Sequence, residues 1–506
     1  MNASMQVSSA RETTAWLRGQ AGRDPHVDLH LDSRCVRRGD IFVAVAGGRF
    51  DGRRFIADAF GRGARAVLAD DDDWPVDAPS AQAPMLRVRG LRAALGSIAA
   101  DYYHRPSEHM LSVGVTGTNG KTSCSHWIAQ ILSRTGRRCA VIGTVGVGFP
   151  GALRSSELTT PDAVSLQREL QGLLKSGAQA VAMEVSSIGL AQHRVDGMHF
   201  DVALFTNLTR DHLDIHGTMD HYEGAKALLF EWQGLQRTVI NLDDEAGRRF
   251  AARACARGVE VIGYSAGGDS SPRPVAPRLQ AKTVRATADG LAFDLECDGR
   301  AHRVEVPLVG HYNVANLLGV VGVALACGID ADGAMAILPQ LVPPPGRMQR
   351  VAVPAQPLVV VDYAHTPDAL AQALAAVRPL VCARGGRLWV VFGAGGDRDP
   401  GKRSPMGAAA ATAADVVVIT SDNPRTEDPR AIISQVAGGA TGAPRLMAEP
   451  DRARAIERAV RDADPSDVIL IAGKGHEDYQ IVGSERRHFS DVEQAQQALA
   501  RRTEAA

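Results

Sequence analysis

The run Gly114-Val115-Thr116-Gly117-Thr118-Asn119-Gly120-Lys121-Thr122-Ser123 follows an apolar stretch containing Met110, Leu111 and Val113 and leads into a helical pattern. Trp127, Ile128, Ile131 and Leu132 fall at i, i+1, i+4 and i+5, which predicts a helix over 123–134 with one apolar face. Strand, glycine-rich turn and helix in this order form the layout of a phosphate-binding loop. Glycines let backbone N–H groups approach phosphate oxygens, the helix presents its positive end, Lys121 neutralises outer phosphates and a Thr122 or Ser123 hydroxyl can hold a divalent cation. The competing reading is a strand-to-helix turn without a ligand. The general pattern G-x-x-x-x-G-K-[ST] also requires glycine at 115, where Val115 stands with Gly114 one residue early, so a generic kinase or GTPase is disfavoured.

With 506 residues, and at about 150 residues per domain, the chain is expected to form about three domains. The formal net charge of −1 offers no global attraction to nucleic acid or an anionic membrane, which directs attention to small-molecule partners. The N-terminal stretch lacks a basic segment followed by an apolar core, and no apolar run is long enough to span a bilayer, so a cytoplasmic protein is expected. The seven cysteines include no C-x-x-C pair, which disfavours a zinc site or disulfide framework.

The expected fold class is α/β in three domains. Residues 1–107 carry short apolar runs at 40–45 and 64–69 and read as a small N-terminal α/β domain. Residues 108–342 alternate strands at 111–115, 140–142, 180–185, 202–205 and 238–241 with helical stretches, which implies a largely parallel sheet with the nucleotide at the carboxyl ends of its strands. Pro343, Pro344, Pro345 and Gly346 interrupt the pattern, as either a hinge or a rigid turn. Residues 343–506 then carry strands at 358–362, 387–392, 415–420 and 467–472, a second open, Rossmann-like α/β sheet, with 408–414 expected to be helical.

Glu184 ends an apolar strand and is followed by Val185-Ser186-Ser187, and a carboxylate placed so beside a phosphate loop commonly binds Mg²⁺. The alternative is a solvent-facing strand end. The segment Asn207-Leu208-Thr209-Arg210-Asp211-His212 also follows a strand and brings His212 toward the same sheet edge. Lys226 lies in Tyr222-Glu223-Gly224-Ala225-Lys226-Ala227-Leu228-Leu229-Phe230, where spacing alone reads as a solvated lysine on a helix packed through Tyr222, Leu229 and Phe230.

Taken together, these segments resemble the Mur ligases, the ATP-dependent amino-acid ligases of peptidoglycan assembly, and their folylpolyglutamate synthase relatives. GVTGTNGKTS is similar to the family's loop, with Gly114 as the family places it, and EVSS, TRDHLD and YxxAKxxLF follow in family order. The resemblance implies that Gly117, Thr118, Asn119, Gly120, Lys121, Thr122 and Ser123 bind ATP, and that Mg²⁺ is held by Thr122, Glu184, His212 and Lys226, the last as its carbamate. It implies nucleotide contacts from Asn316 and Arg347, and from Asp362 and His365 a contact to ATP or control of domain closure. Lys121, Lys226 and His212 are the implied catalytic groups.

Within the family, the similarity is to members that extend the stem peptide at its third residue. It implies that the N-terminal domain binds the uridine end of UDP-N-acetylmuramoyl-L-alanyl-D-glutamate through Leu31, Ser33, Gly48, Arg49 and Phe50. Thr159, Thr160, Ser186, Gln192 and Arg194 match the muramoyl-peptide positions. Asp422-Asn423-Pro424-Arg425 follows a strand and offers a carboxylate, an amide and a guanidinium, a set complementary to a zwitterion, though alone it also reads as an Asn-Pro turn. In the family it resembles the motif for meso-diaminopimelate, with Arg398, Gly473 and Glu477 completing the site and disfavouring lysine. Ile188 stands where the family often has His and Leu158 where Asn is common, departures expected to tune muramoyl-peptide binding.

The implied chemistry activates the D-glutamyl γ-carboxylate with ATP as an acyl phosphate, which the amine of the incoming amino acid attacks as phosphate leaves. Closure of a monomer's three domains is expected to exclude water. The rivals are a sibling ligase and a nucleotide-gated switch protein that forms no bond.

Overall fold

The computed structural model describes residues 5–6, 9–24, 26–47, 51–74, 84–267 and 272–505. The chain divides into two compact units, one of residues 1–263, 271–276 and 322–328, the other of residues 264–270, 277–321 and 329–506.

The first unit opens with five parallel strands in the order Met5–Gln6, Met85–Val88, Ala66–Asp70, Ile41–Ala44 and Leu29–His30. Every residue of Ile41–Ala44 and Ala66–Asp70 is buried, the mark of parallel strands covered on both faces. In the larger sheet of this unit, Leu111–Thr116 is flanked in parallel by Ala180–Glu184 and Val202–Phe205. Cys139–Gly143 and Arg237–Asn241 lie outside these. The register sets Glu184 opposite Val115 and Phe205 opposite Thr116, so the loops leaving these strands emerge at one carboxyl edge.

Gly114 lies within the strand and not in the phosphate loop. A Cβ there would stand 3.1 Å from the Phe200 ring and 3.3 Å from Leu229, so its small size serves packing of the sheet against those side chains.

The second unit is built on six strands in the order Gln349–Val351, Leu358–Asp362, Val468–Ala472, Leu388–Phe392, Val416–Ile419 and Leu446–Ala448, parallel except for the first. Asp362 and Phe392 both lie opposite Ala472, and Phe392 opposite Ile419, so the loops after these four strands share one edge. The expected helix at 408–414 is the end of Arg403–Ala413. The proline run lies wholly inside this unit, and Gly346, at φ +66°, ends it in close packing: a Cβ there would fall 2.1 Å from the His476 nitrogen. That is a rigid turn.

The region expected to be wholly strand–helix alternation also contains an antiparallel meander, Leu279–Thr287, Gly290–Cys297 and Arg300–Val306, which belongs to the second unit. Its inner strand alternates buried and half-buried residues toward its end, and Asp289-Gly290 and Asp298-Gly299 stand at the turns. Asp-Gly between alternating runs is the local hairpin signal that could have revealed it.

Candidate active site

Gly117 leaves its strand at φ +148°, and a Cβ there would lie 1.9 Å from Thr206 Oγ1, so only glycine lets the loop pass that hydroxyl. Gly120, left-handed at φ +86°, opens the helix Lys121–Arg134. The turn between them is braced from the next strand. The Thr118 and Asn119 N–H groups donate to Asn207 O at 2.8 Å and Asn207 Oδ1 at 3.0 Å, while Asn207 Nδ2 and Thr206 Oγ1 donate to Asn119 O at 3.1 and 2.6 Å. Lys121 Nζ folds back on the loop, donating to Gly117 O at 2.8 Å and Thr118 O at 2.9 Å. Thr122 and Ser123 occupy the first helical turn, where the backbone N–H groups and the helix dipole favour an anion.

Glu184 is 1% exposed, which excludes a solvent-facing strand end. Its Oε2 accepts from Thr122 Oγ1 at 3.0 Å and Thr144 Oγ1 at 3.2 Å, and its Oε1 accepts from the Thr144 N–H at 2.8 Å. Gly143 leaves the space, since a Cβ there would lie 2.2 Å from Glu184 Oε1. Thr144 was not singled out in the sequence, yet its hydroxyl also pairs with that of Thr159 at 3.0 Å.

Beside this pair, Thr160 Oγ1 donates to Glu184 O at 2.9 Å and lies 3.1 Å from Ser186 Oγ. Arg194 donates to Thr160 O at 2.9 Å and to Gln192 Oε1 at 2.6 Å, and burial lowers its pKa. Thr159, Thr160, Ser186, Gln192 and Arg194 therefore lie in one linked neighbourhood. Leu158 is exposed and Ile188 is half-buried. In the N-terminal sheet region, Leu31 packs against the apolar core and Ser33 is buried in the short helical turn Ser33–Cys35. Gly48, Arg49 and Phe50 lie outside the described residues.

Lys226 is buried, not solvated. Its Nζ donates to Gly117 O at 2.9 Å and lies 4.4 Å from the centre of the Tyr222 ring. Loss of hydration, then the nearby Lys121 ammonium, push its pKa well below the usual lysine value, against the opposing pull of Asp211. Tyr222, first read as a packing residue, is the hub here: its hydroxyl pairs with Thr118 Oγ1 at 3.0 Å, and its ring lies 6.1 and 5.2 Å from those of His212 and His216.

His212 is exposed, left-handed at φ +52°, and has Asp211 at 3.5 Å. Among the described residues it makes no hydrogen bond or ion pair with Thr122, Glu184 or Lys226, and no group of three or more His, Cys, Asp and Glu side chains is arranged to hold a metal. Thr122 and Glu184 do meet, and a buried hydroxyl–carboxylate pair beside a phosphate loop is a hard-oxygen set that fits Mg²⁺.

In the second unit, buried Asn316 donates to Asn313 Oδ1 at 2.9 Å. The Asp362 carboxylate accepts from the Met348 and Ala364 N–H groups at 2.9 and 3.0 Å, while desolvation raises its pKa. The Arg347 guanidinium lies 5.2 Å from the Tyr363 ring centre, and the rings of His365 and His476 stand 4.6 and 5.1 Å from that same ring. Arg347, Asp362 and His365 thus share one neighbourhood around Tyr363.

The loops after Ile419 and Ala472 come together. Asn423 Nδ2 donates to Glu477 Oε2 at 2.9 Å, and Gly473, at φ +117°, approaches Asp422 so closely that a Cβ would lie 2.7 Å from its Oδ2. Arg425 sits at φ +50°, an uncommon conformation for a non-glycine residue. It is held there by its N–H donating to Ile481 O at 3.1 Å and by the Gly483 N–H donating to its carbonyl at 2.7 Å. Its Nη1 donates to Gly396 O at 2.7 Å. A Cβ on Gly395 would lie 3.2 Å from Arg425 Nη1 and 3.7 Å from the exposed Arg398 side chain, so both guanidinium-bearing chains flank that glycine. Pro424 is buried in the same turn. Asp422, Asn423, Pro424, Arg425, Arg398, Gly473 and Glu477 are therefore drawn into one site from three loops.

Comparison with known proteins accords with this geometry. Three family models match: the Mur ligase family catalytic domain over residues 28–103, the Mur ligase middle domain over 115–324, and the Mur ligase glutamate ligase domain over 346–475. A UDP-N-acetylmuramoyl-L-alanyl-D-glutamate--2,6-diaminopimelate ligase of Ralstonia nicotianae is 52% identical, covering 96% of this chain and 95% of the relative. A ligase of the same name from Janthinobacterium sp. is 47% identical, covering 96% of each. A solved structure of a ligase of that name superposes with a TM-score of 0.70 at 36% identity, covering 95% of this chain and 96% of the other. With family models matched along most of its length and relatives of this similarity, the chain belongs to the Mur ligase family.

Proposed function

We propose that this chain is the ATP-dependent ligase that joins meso-2,6-diaminopimelate to UDP-N-acetylmuramoyl-L-alanyl-D-glutamate, acting as a cytoplasmic monomer in peptidoglycan synthesis. The observation that carries the choice of amine is the meeting of Asp422, Asn423 and Glu477, with Arg425 and Arg398 flanking Gly395. Carboxylates and guanidinium groups in one site are complementary to an amino acid that bears two ammonium and two carboxylate groups. No helix among the described residues is long and apolar enough to cross a membrane.

In this reading the loop 117–123 takes the phosphates, the helix N-terminus and Lys121 offset their charge, and Asn316, Arg347, Asp362 and His365 serve the nucleotide. Mg²⁺ held by Thr122 and Glu184, with His212 and the Lys226 carbamate, would neutralise charge on the transferring phosphoryl group. Burial favours the neutral Lys226 amine, the form that adds CO₂. Leu31, Ser33, Gly48, Arg49 and Phe50 serve the uridine end, while Thr159, Thr160, Ser186, Gln192 and Arg194 hold the muramoyl dipeptide. The dipeptide's γ-carboxylate attacks the γ-phosphorus and ADP departs. The diaminopimelate amine then attacks the acyl carbon, loses a proton and expels phosphate.

Incubation with ATP, Mg²⁺, UDP-muramoyl dipeptide and either meso-diaminopimelate or lysine tests this. Phosphate release that needs both acceptors, with a product heavier by one diaminopimelate residue, is expected. Hydrolysis of ATP indifferent to the acceptors would return the chain to the switch-protein reading, and preferential use of lysine would overturn the choice of amine.

A further inference from the structure

Lys474 is 0% exposed and lies in the loop that carries Gly473 and Glu477. Its Nζ donates to Glu477 Oε2 and to Asn423 Oδ1, both at 3.3 Å, and stands 5.4 Å from the centre of the Tyr479 ring. A buried ammonium is costly unless paired, and its polar partners here are two residues assigned to the amino acid.

We infer that Lys474 is a positioning residue for amino-acid recognition, which sets the Glu477 carboxylate and the Asn423 amide in their binding orientations before the ligand arrives. The inference rests on the assignment of Glu477 to the diaminopimelate ammonium. The Asn423 amide can point only one way in this arrangement. Its Oδ1 accepts from Lys474 and from the Ile481 N–H at 2.9 Å, and its Nδ2 donates to Glu477 Oε2. Reversing the amide would aim its NH₂ group at an ammonium and a backbone N–H. Glu477 is held by the same oxygen, because Lys474 and Asn423 both donate to Oε2. The Glu477 side chain keeps 19% exposure, and Oε1 has no protein donor among the described residues, so that oxygen is turned to the ligand.

Lys474→Met keeps a long unbranched chain and removes the ammonium. The expected result is a KM for diaminopimelate raised about tenfold to a hundredfold, the loss of a hydrogen bond to a charged group, with the KM values for ATP and UDP-muramoyl dipeptide unchanged. The discriminating measurement is a double-mutant cycle with Glu477→Gln. If Lys474 acts through Glu477, the lysine replacement adds little once Glu477 is altered, whereas a general packing role gives additive losses. An unchanged diaminopimelate KM in Lys474→Met, an equal rise in all three KM values, or additivity in the cycle would overturn the inference. Should Lys474→Met fail to fold, Lys474→Gln, which keeps a hydrogen-bond donor but removes the charge, is expected to raise the same KM selectively, and an unchanged value there counts against the inference. A wild-type enzyme that ignores diaminopimelate defeats the proposed function instead.

Discussion

Arg452 and Asp491 form an ion pair in which both side chains have no exposure, and the pair stands beneath the proposed amino-acid site. The contact is bidentate, with Nε to Oδ1 and Nη2 to Oδ2 both at 2.7 Å. The guanidinium has two further acceptors, Ala472 O at 2.9 Å and Ser421 O at 3.3 Å, the carbonyls immediately before Gly473 and Asp422. Arg452→Leu strands a buried carboxylate, at a cost of about 3–5 kcal/mol, and leaves each of those carbonyls short of a donor, at about 1 kcal/mol apiece. A loss of about 5 kcal/mol would consume much of the ordinary stability of a domain, about 5–15 kcal/mol. Because a chain of two units need not unfold in one step, hydrogen exchange read by mass spectrometry on Val416–Ile419 and Val468–Ala472 is the suitable assay. Protection there should fall by about four orders of magnitude, with first-unit strands unaffected. Arg452→Leu with Asp491→Leu removes the orphaned charge, so most of the protection should return. The KM for diaminopimelate should stay raised, because the two carbonyls remain unheld. Unchanged protection in the single variant, or a double variant as unstable as the single one, would refute the reasoning.

Gly117→Ala should abolish nucleotide binding in calorimetry while circular dichroism stays unchanged, because its Cβ would meet Thr206 Oγ1 at 1.9 Å; retained affinity would show that the loop bends freely. Thr144→Val removes the hydroxyl that joins Glu184 to Thr159, and the dissociation constant for UDP-muramoyl dipeptide should rise about tenfold, with Thr144→Ser restoring it. The depressed Lys226 pKa makes the unfolded chain bind more protons than the folded one between the folded value and the unfolded value of about 10.4, so this residue's contribution to stability rises with pH across that window. In CO₂-free buffer the stability difference between wild type and Lys226→Met should therefore shift in favour of wild type as pH increases, and a pH-independent difference would contradict it. Arg425→Lys should raise the diaminopimelate KM and leave ATP binding nearly unchanged, since lysine cannot reproduce the planar fork that donates to Gly396 O.

Much of this molecule was legible along the chain because the signals were local. The strands at 202–205 and 358–362 were placed to the residue, since short apolar runs between turn residues have few other ways to hide. The departure at Gly114 was read as a variant of the loop, and the structure gives it a different cause, space for Phe200 and Leu229. The meander at 279–306 went unread because only part of each strand is buried, which weakens the apolar signal.

Sequence by itself determined the phosphate loop, the central strands of the two parallel sheets, and the residue types able to bind an anion, a hard cation and a zwitterion, because each depends on neighbours a few positions away. Only the tertiary structure decided that Lys226 is buried against Gly117, that Thr144 bridges Glu184 and Thr159, and that Lys474 lies between Asn423 and Glu477. A lysine's spacing along a helix or loop carries no record of its hydration. Burial and the partners that offset it are set when segments some 50 to 110 residues apart are packed together, and the parallel register that aligns the carboxyl ends of separate strands does that.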